Sequence, residues 1–479
     1  MRLPVLNTAL CAKWTAVFAV GAAVACLPSP HGLQPQTMTL LAVFAAAVVG
    51  FILQPMPMGP IAFLSLTVCA LFGIIPTKVL FSGFGASATW MVVCAFFISR
   101  AFIKTGLGRR IAFVIIRAIG KNAVSLGYSI CLAELIVSPA MPAGAARGGG
   151  LFYPIVRSIC SALDSEPGPT GDRIGHRIGR YLMQVGFTAN GVTCGLFLTS
   201  MAANTLCIGL AAGALGVELT WTRWAAASIV PGLICLASVP LVLFYLSRPE
   251  LTALPSAQKH ADEELKRMGP LTHAETMLLG VFGMCLLLWA AGSFFGIGST
   301  AVAMLAVAIL LVTGALSWED ILSEKGAWDA LFWVSALTVL SAALADSGLI
   351  RWAADLVAQT LTTSHFDWTV SFIILSLIYI YGHYFFASVM AHISAMYVAF
   401  IAVAVACGAP PLFAAVVLGI FSSVSSPLTH YSNASAPVFF GAGYVSQTEW
   451  WRNGLITTTI FTVIWMTVGP LWWRVIGLL

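Results

Sequence analysis

The stretch SSPLTHYSNASAP, Ser425–Pro437, lies between the apolar runs PLFAAVVLGIF and VFFGAGY. It carries hydroxyls, an amide and an imidazole, two prolines and no formal charge. Backbone that leaves a helix at membrane depth must be buried in protein or line a cavity, because lipid satisfies neither N–H nor C=O. A polar, proline-containing break inside an apolar run therefore predicts a discontinuous transmembrane helix.

The surrounding composition supports a membrane setting. Of 479 residues, 59% are hydrophobic and 9% charged, against about 25% charged in ordinary soluble domains. The mean hydropathy is +0.94. Segments such as TMTLLAVFAAAVVGFIL and WAAASIVPGLICLASVPLVLFYL meet the length a bilayer requires, and on the order of 11 spans plus re-entrant pieces are expected. Met1–Cys26 reads as a first span rather than a cleaved leader. The net charge of +5 has no dense basic run, so no nucleic-acid partner is expected. Eleven cysteines stand singly, without metal-like spacing.

The chain divides at Arg248–Glu275, which holds nine charged residues and three prolines and reads as a hydrophilic linker (248–275). Before it, residues 1–85 are expected to form scaffold helices and 86–247 a first repeat; residues 276–479 form the second half. KTGLGRRIA (Lys104–Ala112) recurs as DSGLIRWAA (Asp346–Ala354), sharing GLxRxxA. Interrupted apolar segments follow each copy in the same order. In the first repeat a hairpin tip is expected near 138–150 and a broken helix near 197–206. In the second half they fall near 385–396 and 422–440. Arg100–Lys121 has six Lys/Arg and no acid, which places it on the cytoplasmic face. Its counterpart mixes Arg351 with Asp346 and Asp355, as expected on the opposite face. The reading is an all-α polytopic membrane protein of two inverted repeats, each with a re-entrant helical hairpin and a broken transmembrane helix.

Such breaks suit a small carboxylate. A charge at the bilayer centre costs about 2.5–3.5 kcal/mol on insertion scales, whereas hydroxyls, amides and helix ends hold an anion without one. Thr429, Ser432, Asn433 and Ser435 supply such groups, with His392 and Asn204 at other interruptions. Each has a structural alternative: a hydrogen bond to a neighbouring helix. Arg147 reads equally as a tip residue or as one snorkelling to the cytoplasmic face, and Glu134 as the partner of a nearby arginine.

The strings FFASVMAHISAMYVAF (385–400), THYSNASAPVFF (429–440), EKGAWDALFW (324–333) and FLTSMAANTL (197–206) resemble the divalent anion:sodium symporter family. The similarity is to its branch of 2-oxoglutarate/malate translocators and citrate or tartrate/succinate exchangers. That resemblance runs from about Leu40 to the C-terminus. It implies an inner-membrane homodimer with elevator-type alternating access, surrounded by lipid. It also implies substrate contacts at Gly144, Ala145, Thr199, Asn204, Ser388, His392, Thr429, Ser432, Asn433 and Ser435. Sodium ions, the one cofactor it suggests, would sit at Ser138, Ala143 and Gly144 and at Ala391 and Asn433. The family's first tip reads Ser-Asn-Thr before Ala-Arg; here Ala143-Gly144-Ala145 precedes Ala146-Arg147, so three side-chain donors are absent.

The function expected is a secondary transporter of C4–C5 dicarboxylates (2-oxoglutarate, malate, succinate), by sodium symport or anion exchange. The nearest alternative is a citrate or tartrate/succinate antiporter. A membrane-embedded metal enzyme using His383, His392 and His430 lacks HExxH and an accompanying carboxylate. A channel would favour a ring of like residues.

Overall fold

A computed structural model describes residues 8–30, 32–167, 178–252, 254–291, 296–362 and 367–479. The centre of the polar loop Ser161–Arg180 lies outside them. Among the described residues every regular element is helical, and ten helices are long and apolar enough to cross a membrane.

One order of elements occurs twice. In the first half a spanning helix, Ser87–Thr105, is followed by a short amphipathic helix, Leu107–Ile119. A hairpin comes next, its legs Ala123–Val137 and Tyr153–Ala162 joined through Ser138–Phe152. Then follow a broken helix, Gly179–Leu196 with Ala202–Leu215, and a closing span, Trp221–Ser247. The second half repeats this with Lys325–Asp346, Leu349–Thr362, the hairpin legs Trp368–Tyr381 and Val389–Ala406, the broken helix Pro411–Val424 with Ala436–Gly441, and Gln447–Val475. Each leading span is also preceded by a helix pair, Gln36–Leu53 with Met58–Leu71 and His273–Ala291 with Ser299–Val312.

The recurring GLxRxxA has a local cause. Gly106 and Gly348 adopt φ of +75° and +81° at the ends of the two leading spans. That left-handed turn stops a helix, and only glycine enters it without a Cβ clash. The chain thereby swings from a span into a lateral amphipathic helix.

Ion pairs fix the inversion. Lys104, at the end of the first leading span, reaches Asp320 at 2.5 Å, with Arg100 at 3.9 Å. Asp320 lies just before the second leading span begins, so the two corresponding helices cross in opposite directions. Arg180 does the same for the closing spans. It donates to the carbonyl of Ser247, where one ends, and lies 3.4 Å from Glu449, where the other starts. The halves are interleaved as well: Met58–Leu71 packs on Lys325–Asp346, and Ser299–Val312 packs on Ser87–Thr105. Matching end contacts accompany this exchange, with Gly59 N donating to Asp329 and Ser87 Oγ 2.8 Å from Thr300 Oγ1.

The first hairpin is re-entrant. It enters after Lys121, and its outgoing leg returns to the same face, where Ser158 Oγ meets His260 at 3.2 Å. The hydrophilic segment 248–275 is more than a linker, because Pro255–Met268 forms a helix docked on Leu107–Ile119. Its acids answer the basic run: Arg109 pairs with Glu264, Arg117 with Asp262, and Arg110 with the following Glu275. Six cations without an acid in their own segment made a partner from elsewhere in the chain electrostatically favourable.

Candidate functional site

The broken helices cross at the centre of the molecule. Gly179–Leu196 is buried along nearly its whole length and packs against Pro411–Val424. Gly191 and Gly195 permit this approach, since a Cβ at either would lie 2.9 Å from Ser426 Cβ or 3.1 Å from Ser423 Cβ. The α-helix is interrupted at Phe197–Met201 in one, where Leu198–Ser200 forms a single 3-10 turn, and at Ser425–Ser435 in the other.

The first hairpin tip seats on the first break. Ala202 N donates to Pro142 O at 3.0 Å, and Ser138–Ala140 packs on Leu198–Ser200. Arg147 secures the joint. It is 0% exposed and does not snorkel. Its Nε donates to Glu134 Oε2 at 2.9 Å, and Nη1 donates to the carbonyls of Met141 (2.5 Å) and Ser200 (2.6 Å). Nη2 faces Cys194 Sγ at 3.1 Å. Glu134, also 0% exposed, accepts in addition from Asn190 Nδ2 (3.1 Å) and Thr193 Oγ1 (3.2 Å). Removing one member of such a buried pair leaves the other uncompensated, whereas the intact pair adds no net charge.

Of the residues expected here, Gly144 is half-buried, with Cys194 Sγ 3.5 Å from where its Cβ would be, and Ala145 is exposed. Ser138 Oγ turns back to Leu135 O. Thr199 Oγ1 accepts from Trp221 Nε1 at 3.1 Å. Asn204 donates its amide to the carbonyls of Cys194 (2.7 Å) and Phe197 (3.0 Å), which satisfies the opened backbone and leaves Oδ1 unbonded.

The second hairpin turns through Gly382–Ser388, earlier than the 385–396 expected. Ser388 sets the boundary, because its side chain caps the outgoing leg by accepting from Ala391 N at 3.1 Å. His383 Nε2 lies 2.8 Å from Ser432 O, and Tyr431 OH donates to Tyr384 O, so this turn seats on the second break as the first does on its own. His392 lies among the rings of Tyr379, His383 and Phe386, with centroids 4.3, 4.9 and 5.3 Å away, and beside the Tyr379 backbone. His430 stands apart, accepting from Trp451 Nε1 at 3.0 Å, with the Phe440 ring tilted beside it at 4.6 Å.

Within the second break, the Ser432 hydroxyl is turned to the carbonyls of Ser426 and Thr429. Thr429 Oγ1 is buried without a partner. Asn433 Oδ1 accepts from the backbone N–H of Ser435 and Ala436, both at 3.0 Å, so its Nδ2 remains an unbonded donor. Ser435 Oγ lies 3.0 Å from Asn190 Oδ1, joining the second break to the first cluster. Asn190, Ser200 and His383 were not singled out from the sequence as contacts. A buried-type amide within an apolar half-helix, one of two there with Gln184, was the available signal for Asn190.

These buried hydroxyls, amides and imidazole can hydrogen-bond a small polar anion, and Arg147 neutralises the carboxylate of Glu134. The family model described as "Sodium:sulfate symporter transmembrane region" matches residues 8–479. Among curated relatives, the "Putative malate transporter YflS" of Bacillus subtilis is 46% identical over 96% of this chain and 95% of its own. "Dicarboxylate transporter 1, chloroplastic" of Arabidopsis thaliana is 40% identical over 94% and 81%. The "L-tartrate/succinate antiporter" of Escherichia coli is 33% identical over 97% and 98%. Among solved structures, the Alcanivorax borkumensis YdaH transporter superposes with a TM-score of 0.59 over 98% of both chains at 12% identity, a likeness of fold.

Proposed function

The chain belongs to the divalent anion:sodium symporter family, and from that premise we propose that it is an inner-membrane secondary active transporter of C4–C5 dicarboxylates. The observation that carries the reading is that each of the two helix breaks holds buried polar groups without a hydrogen-bond partner. Asn433 Nδ2 and Thr429 Oγ1 at the second break and Ser200 Oγ at the first are all buried and unpartnered. A buried polar atom without a partner costs about 1–3 kcal/mol, so a ligand that completes these bonds recovers that cost. The relatives named for malate, dicarboxylates and tartrate/succinate support a small dicarboxylate as that ligand.

For coupling, anion exchange is favoured over sodium symport by one feature. Sodium would need oxygens at the first tip, where Ala143, Gly144 and Ala145 offer only backbone. Two carbonyls of that joint, Met141 and Ser200, already accept from the Arg147 guanidinium. Alternating access by an elevator motion of each protomer of a homodimer fits the lateral helices that Gly106 and Gly348 set between spans and hairpins. Labelled malate uptake into proteoliposomes tests the substrate class. Competition by 2-oxoglutarate and succinate but not by acetate is expected, with a raised KM but retained uptake in Asn433→Ala; equal competition by acetate would overturn the assignment.

A further inference from the structure

We propose that Glu134 and Asn190, neither of them a substrate contact, are positioning residues that orient the Asn433 amide toward the transported dicarboxylate across the boundary between the two repeats. The inference rests on the transport reading above and adds residues to it.

The chain of bonds has a direction. Arg147 holds Glu134 as a carboxylate, which only accepts. Asn190 must therefore present Nδ2 to it, at 3.1 Å. That choice turns Asn190 Oδ1 the other way, to Ser435 Oγ at 3.0 Å. The Ser435 hydroxyl has one proton and two amide oxygens within reach, Asn190 Oδ1 and Asn433 Oδ1 at 2.9 Å. Shared between the two in a three-centre bond, that proton ties the Asn433 amide to Asn190. Asn433 Oδ1 is held by the N–H groups of Ser435 and Ala436, so Nδ2 is the end left for a ligand. Asn190, Ser435 and Glu134 are each 1% exposed or less, so bulk solvent does not reach these bonds.

A second observation locates the first hairpin at the same joint. A Cβ on Gly148 would lie 2.8 Å from both Asn190 Oδ1 and Ser435 Cβ. Gly148 follows Arg147 directly, so the residue that anchors the tip and the residue that lets it lie on the Asn190–Ser435 bond are neighbours. The link thus joins the first hairpin and first broken helix to the second broken helix, its two bonded ends lying 245 positions apart in the chain.

The test compares saturation kinetics of malate uptake for wild type, Asn190→Ala, Asn433→Ala and the double variant, at matched levels of protein in the vesicles. Loss of one hydrogen bond to a charged ligand corresponds to about tenfold or more in KM. Asn190→Ala is expected to raise KM by that order with kcat within about twofold, and the double variant to be no worse than Asn433→Ala alone. A general structural defect would instead lower the amount of active protein or kcat and would add to the Asn433 effect. Should Asn190→Ala fail to fold, Gly148→Ala serves: the wedge it introduces is expected to raise KM in the same non-additive way. Wild-type KM in Asn190→Ala, or multiplicative effects in the double variant, would overturn the inference while leaving transport intact. Absence of dicarboxylate uptake by the wild type would overturn the transport reading and this inference with it.

Discussion

Arg147 shows how one buried side chain can hold a hairpin tip against a helix break. Its guanidinium is fully buried and binds one carboxylate and two backbone carbonyls, so it is at once counter-charge and tie between hairpin and broken helix. Substituting Arg147→Met leaves Glu134 uncompensated, and breaking such a pair costs ~3–5 kcal/mol. Heating in detergent, followed by the fraction still monodisperse, should show a large fall in stability; an unchanged melting profile would refute the role. The polar stretch Ser425–Pro437 announced a break in the sequence, and Glu134 pointed to an arginine. The orientation of individual side chains was not legible. Ser432 and Ser435 are both serines of one loop, yet one is turned to backbone carbonyls and the other to Asn190 across the repeat boundary. Only the three-dimensional crossing of two half-helices decides between them.

At the level of elements, the hydrophilic segment between the halves carries the clearest lesson. Nine charges and three prolines suggested a connector, yet Pro255–Met268 folds as a helix because Leu107–Ile119 supplies a basic amphipathic face to dock on. Charge in one segment had to be matched with charge 150 residues away, which periodicity within either segment does not reveal. A related contact joins Asp320 to the end of Ser87–Thr105. Partial burial opposes ionisation of Asp320, but the Lys104 ammonium and the N–H and hydroxyl of Ser317 outweigh it and lower the pKa from 3.8 to about 2. A carboxyl depressed in the folded state contributes stability that is fully present above its unfolded value and is lost as pH falls through the folded one. Thermal stability is therefore expected to decline between pH 3.8 and about 2, and Asp320→Asn to flatten that decline; an identical profile for the variant would contradict the pairing.

For the whole molecule, the governing feature is that two copies of one element order cross the membrane in opposite directions. The short GLxRxxA match exposed this in the sequence because a left-handed glycine is needed at each span's end. The opposite sense was legible only as a charge bias, and the Lys104–Asp320 and Arg180–Glu449 contacts turn it into geometry. Single cysteines at Lys121 and Asp355, in a background without the native thiols, are predicted to react with an impermeant maleimide from opposite sides of oriented vesicles. Labelling from one side would contradict the inversion.

The central claim is that these paired breaks hold a dicarboxylate and exchange it without sodium at the first tip. Uptake of labelled 2-oxoglutarate into proteoliposomes, with and without internal malate and an inward sodium gradient, addresses it most directly. The account predicts uptake that requires internal malate and is indifferent to sodium. Uptake into empty vesicles driven by the sodium gradient would contradict it.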